Sequence, residues 1–120
     1  MAQHIDLGNK GEALAVNLLR KKGYSILAEN WRSGRNELDI VAKIGEIIVF
    51  VEVKTRSTDF FGDPGQAVSI AKQKRLIQAA NDYLQQEELE FEARFDVIAI
   101  ISSEQKAELD HMEDAFFPIA

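Results

Sequence analysis

The sequence contains no cysteine, which excludes a disulfide scaffold, a thiolate metal site and a cysteine nucleophile together. Only two histidines are present, His4 and His111, too few for a histidine-rich metal cage. No run reaches the roughly 18 apolar residues of a membrane span, and the opening MAQHIDLGNKGE has no apolar signal core. The expectation is a soluble, cytoplasmic protein with no membrane partner. Basic residues are scarce as well. Fourteen Lys and Arg stand against 20 Asp and Glu, a net charge of −6, whereas a nucleic-acid binder usually carries a basic footprint. What is there is 120 residues with 46% hydrophobic content, the size and composition of one compact globular domain over 1–120.

The negative charge is unevenly spread. Residues 1–60 hold nine Lys/Arg and eight Asp/Glu, while residues 61–120 hold five and twelve. Much of the acid lies in 87–92 and 104–114, runs that read as solvated faces. The first half therefore keeps room for a local polyanion site.

Apolar spacing predicts a helix over about Asp6–Lys22, with Leu14, Ala15, Val16, Leu18 and Leu19 on one arc and Gly23 as its stop. Gly8, Gly11 and Ala15 share that arc and allow another backbone to approach closely. Tyr24–Asn30 reads as a strand and Trp31–Asn36 as a turn bearing Arg32 and Arg35. Glu37–Lys43 and Ile47–Thr55 are β-branched runs about an Ile44-Gly45 turn. The second is apolar on both faces until Glu52 and predicts a central, doubly covered strand. Arg56–Val68 reads as a long loop of the kind that often carries function. Ser69 is a fitting N-cap for a second helix, about Ile70–Gln86. Arg94–Ser102 is a buried strand, and Glu108–Ala120 an acidic edge strand with an apolar tail. The order predicts an α/β fold, a mixed β-sheet flanked by helices.

With Ile44-Gly45 as a two-residue turn, Asp39 would face Phe50 and Glu37 would face Glu52. Alternation then projects Glu37, Asp39, Glu52 and Lys54 from one face, with Asp39 and Glu52 as diagonal neighbours. Two buried carboxylates are costly unless a proton or a cation compensates them, and an oxygen-seeking divalent cation does so. Lys54 follows on the same face, suited to orienting a water or offsetting charge on a phosphate. Glu12 points from its helix toward the sheet and completes the set, with Glu37 either in its outer shell or turned to the rim. Three acids and a lysine converging describe metal-assisted phosphodiester hydrolysis. Each has a plainer reading: strand-end acids in water, a solubilising ion pair for Lys54, or a first-turn glutamate favoured by the helix dipole for Glu12.

Arg32, Arg35, Arg56, Lys72, Lys74 and Arg75 are candidate phosphate contacts. Gln73 would touch substrate or bond to backbone, and Trp31 would stack on an unpaired base or pack half-buried. Asp96 needs a buried partner, for which Arg94 two residues away is the expected ion pair, and both histidines read as unremarkable.

Glu12, Asp39 and Glu52-Val53-Lys54 together resemble the PD-(D/E)XK nuclease superfamily. The phrases GEALA, ELDIVA, VFVEVKTRS, AKQKRL and RFDV resemble most closely the small bacterial YraN-like proteins, relatives of archaeal Holliday-junction resolvases, over nearly the whole chain. Asn36 departs from the pattern, in which glycine usually precedes Glu-x-Asp. The resemblance implies a restriction-endonuclease-like core and Mg²⁺-dependent cleavage of DNA, branched or structured DNA included, with Mn²⁺ as a substitute. It implies Asp39, Glu52 and the Val53 carbonyl as metal ligands, Glu12 as a further ligand directly or through water, and Lys54 as the catalytic lysine. Homodimers are common among such proteins, and Phe116-Phe117 or the 56–68 loop would offer the contact. The rival expectation is a nucleic-acid-binding or protein-interaction module that keeps the nuclease fold without turnover. A phosphodiesterase acting on small nucleotides is the third.

Overall fold

The structure, a computed structural model, describes residues 7–57, 68–102 and 107–116. The elements run α1 (Leu7–Lys21), β1 (Ser25–Ser33), β2 (Asn36–Ile44), β3 (Ile47–Ser57), α2 (Ile70–Gln86), β4 (Glu92–Ser102) and β5 (Ala107–Phe116). The strands form one five-stranded sheet in the order β1-β2-β3-β4-β5. All neighbours are antiparallel except β3 and β4, which run parallel because α2 carries the chain across between them.

Alternation along β3 builds the two layers. Ile48 and Phe50 enter a cluster with Leu76, Ala79, Ala80 and Tyr83 of α2. Val49 and Val51 enter the opposite cluster with Ala15, Val16 and Leu19 of α1. The central strand is thus covered on both faces, as its continuous apolar run demands. Gly23 ends α1 at φ 95°, with Tyr24 N–H donating to the Leu19 carbonyl and Gly23 N–H to the Arg20 carbonyl, both at 3.0 Å. At the start of α2, the Ser69 hydroxyl accepts from Lys72 N–H at 3.1 Å.

Three local expectations are corrected. The β2–β3 turn is Gly45-Glu46, because Ile44 pairs with Ile47. Gly45 takes a left-handed φ of 57°, which glycine adopts freely and a β-branched isoleucine resists. Trp31, Arg32 and Ser33 continue β1 and pair with Leu38, Glu37 and Asn36, so the expected six-residue turn shrinks to Gly34-Arg35. Phe116 closes the core, 7% exposed and stacked on Phe95 with ring centroids 5.1 Å apart, and is not a free contact for a partner. Phe117 and residues 58–67 of the expected loop lie outside the described residues, and Arg56 and Ser57 belong to β3.

Candidate active site

The register of β2 against β3 is two residues away from the expected one, and a shift of two keeps every side chain on its face. It does change neighbours. The ladder ends at Ile40↔Val51, so Asp39 comes next to Glu52 directly across the strands, while Glu37 is drawn to the other side and pairs with Arg32 of β1. Beyond Val51 the Asp39 carboxylate replaces a backbone acceptor: its Oδ2 takes the Val53 N–H at 2.9 Å. β2 and β3 therefore part at this end of the sheet, with a carboxylate filling the gap.

Glu52 is only 4% exposed. Both Lys54 Nζ, from its own strand, and Lys72 Nζ, from the first turn of α2, stand 3.2 Å from its Oε2. Asp39 is within hydrogen-bond reach of Glu52. Burial first, and the Glu52 charge second, push the Asp39 carboxyl up to about 7, against the pull of the Val53 N–H. Near neutral pH the Asp39 carboxyl is thus partly protonated, next to the buried Glu52 side chain.

Glu12 reaches this end from the α1 layer. Its neighbour Gly11 packs so closely on the sheet that a Cβ there would stand 3.0 Å from Ile100 Cδ1 and from Thr55 Oγ1. Desolvation raises the Glu12 carboxyl, a hydrogen bond from Asn30 opposes this, and Glu37, Glu29 and Glu52 add to the rise by repulsion. Asn30 is a site residue that sequence reasoning missed. Its φ of 52° is left-handed, a conformation asparagine tolerates better than most residues, and the structure alone reveals it at a strand position. Among the described residues no three His, Asp or Glu side chains form a ready-made metal cage, although Glu12 is near enough for its charge to interact with those of Asp39 and Glu52.

A cleft of about 200 Å³ opens beside the pair, lined by Arg35, Asn36, Glu37, Asp39, Lys72 and Arg75. Its rim is fixed from two sides, since the Ser33 hydroxyl donates to Asp82 of α2 at 2.8 Å next to the Arg35 turn. Arg32 is 76% exposed and bound to Glu37 at 3.2 Å, so it faces its strand neighbour rather than the cleft. Lys74 is exposed and absent from the lining. The Gln73 amide donates to the Val68 carbonyl at 3.0 Å, which is the backbone role. Trp31 packs edge-on against Tyr83 at 5.2 Å. The Arg56 side chain lies outside the described part.

A second polar cluster lies away from this cleft. Asp96, fully buried, accepts from Arg94 Nε at 2.9 Å and Nη2 at 2.8 Å, from Asp114 N–H at 3.0 Å, and from His111 Nε2 at 2.7 Å. These donors outweigh burial and hold the Asp96 carboxyl below the usual range. The expected Arg94–Asp96 pair is there, but His111 is far from unremarkable: it is 3% exposed and its other nitrogen meets Lys22 Nζ at 2.7 Å. Every buried donor and acceptor in this cluster is satisfied, which suits a structural role.

Comparison with known proteins agrees with the motifs. The profile of "Uncharacterised protein family UPF0102" matches residues 11–100, which span the helix glutamate, both acidic strands and α2. The chain belongs to this family. It is 47% identical over 117 residues to a UPF0102 protein of Flavobacterium psychrophilum and to another of Christiangramia forsetii, in each case over 98% of both chains. A UPF0102 protein of Thermodesulfovibrio yellowstonii is 44% identical over 94% of this chain and 97% of its own. The UPF0102 proteins are the YraN-like group that the motifs resemble, and the mixed sheet between two helices agrees with a restriction-endonuclease-like core. Among the described residues no helix is long and apolar enough to cross a membrane.

Proposed function

We propose that this UPF0102 protein is a cytoplasmic, metal-dependent nuclease that hydrolyses phosphodiester bonds in DNA, branched or structured DNA included. The observation that carries the reading is the buried Glu52 carboxylate set against Asp39 and beside Lys54 at 3.2 Å. Such a pair is stable only with a compensating charge, and the oxygen-only donors suit a hard divalent cation, Mg²⁺ or Mn²⁺ in its place. Asp39 and Glu52 would hold it, with the Val53 carbonyl and Glu12, directly or through water, completing the shell. A cation held there would supply a Lewis acid for the scissile phosphate and for the attacking water. Lys54 orients that water and offsets negative charge growing on the phosphate. Arg35, Arg75 and Lys72 hold the flanking phosphate from the cleft wall.

The test is incubation of the pure protein with labelled duplex, single-stranded and four-way-junction DNA in Mg²⁺, Mn²⁺ or EDTA. Metal-dependent cutting that is lost in Asp39→Ala and Lys54→Ala supports the enzyme. A second reading, a binding module that keeps the fold without turnover, is favoured by the net charge of −6 and by the lack of a third carboxylate at ligand distance among the described residues. DNA binding without cutting, unaltered by those two substitutions, would support it instead.

A further inference from the structure

The proposed chemistry leaves one contact unexplained. Lys54 already neutralises Glu52 from the same strand, yet Lys72 places a second ammonium 3.2 Å from the same oxygen, Oε2. The two nitrogens repel each other, and together they offset the negative charge that Glu52 and Asp39 concentrate at this end of the sheet. They also differ in freedom. Lys54 is 22% exposed and rooted two residues from Glu52 in the central strand, whereas Lys72 is 38% exposed on another layer and lines the cleft with Arg35 and Arg75.

We propose that Lys72 is a mobile counter-ion: in the free protein it stands in for the cation at Glu52, and when the cation binds it turns to the substrate phosphate. The inference rests on the metal-dependent reading above and adds a coupling to it. A divalent cation on Glu52 repels the nearby ammonium, and the less constrained lysine is the one to leave. Its stem already borders the cleft, so leaving Glu52 brings its charge toward Arg35 and Arg75, which line the same cleft with Glu37 and Asp39 and would meet the substrate phosphate there. The exchange works in both directions, because a phosphate that draws Lys72 away uncovers Glu52 for the cation. Metal and phosphate then strengthen each other's binding by the same factor. In the absence of substrate the site is self-neutralised and holds metal weakly.

Calorimetric titration with Mn²⁺ tests this without any cleavage, using thymidine 3′,5′-bisphosphate as a probe with no internal diester to cut. The wild-type protein, Lys72→Met and Lys74→Met are compared, the last removing a charge from the same helix without touching Glu52. The expected result is that Lys72→Met binds Mn²⁺ about 5-fold tighter or more without nucleotide, within the usual range of coupling between sites. The bisphosphate, corrected for its own metal binding, tightens Mn²⁺ in wild type and in Lys74→Met but not in Lys72→Met. Equal or weaker Mn²⁺ binding by Lys72→Met overturns the counter-ion role alone, as does the same gain in Lys74→Met. Absence of Mn²⁺ binding from all three proteins overturns the metal site itself, and the inference with it.

Discussion

Asp39→Asn separates the electrostatic burden of the site from its use. Asparagine has the same shape, still accepts the Val53 N–H through its carbonyl oxygen, and cannot ionise against Glu52. A carboxyl whose folded-state pKa is raised costs stability once pH passes its unfolded value. The protonated form favours folding at low pH, and that contribution fades as pH climbs through the folded value. The rise from 3.8 to about 7, at 1.36 kcal/mol for each tenfold change, sets a ceiling of about 4 kcal/mol above pH 7. Partial access to water discounts this to about 2 kcal/mol. For a chain of this size that is roughly 8 °C in Tm. Thermal unfolding in EDTA followed by circular dichroism should therefore show Asp39→Asn melting several degrees higher than wild type at pH 8, with the gap nearly closed at about pH 3. Mn²⁺ should raise the wild-type Tm at pH 8 and leave the variant unmoved. A variant equal to or less stable than wild type at pH 8, or a gap that ignores pH, refutes the argument that these two carboxyls burden the fold.

The remaining predictions concern the frame around the site. Arg94→Met strips the buried Asp96 of its bidentate partner and should cost about 3 kcal/mol, read from urea unfolding; a loss under 1 kcal/mol would show that His111 and the Asp114 N–H suffice. Because the Asp96 carboxyl lies below its usual value, its stabilisation is present above the unfolded pKa and lost as pH falls through the folded one, so acid unfolding of wild type should steepen below about pH 4. Gly11→Val pushes methyl groups onto Ile100 and Thr55 where even a Cβ stands at 3.0 Å, for an expected loss of about 1–3 kcal/mol. Ser69→Ala removes the α2 cap and should cost about 1 kcal/mol by the same assay.

How far the sequence determines this site can be traced through single residues. The face shared by Asp39, Glu52 and Lys54 was legible because side-chain alternation survives any register shift of two. The turn was not, because Ile44-Gly45 and Gly45-Glu46 differ only in which residue must take the left-handed conformation, and glycine satisfies one place in either. That slip matters chemically, since it brings Asp39 directly across from Glu52 and hands Glu37 to Arg32. Long-range partners were harder still. Nothing near His111 in the chain announces Asp96 or Lys22, which meet it from β4 and from the end of α1. The same holds for Lys72, which by composition is one surface lysine among several and becomes distinctive only when α2 lays it over Glu52. Local rules thus set which face and which end of the sheet carry the acids. Part of the counter-charge that makes those acids tolerable comes from elsewhere in the chain, Lys72 on α2 and His111 on β5, and only packing brings these within 4 Å. A strongly acidic chain can in this way host a site for a polyanion: while Arg32 is tied to Glu37 and Arg94 to Asp96, Arg35 and Arg75 border the cleft beside the pair, and Lys72 stands between cleft and carboxylate.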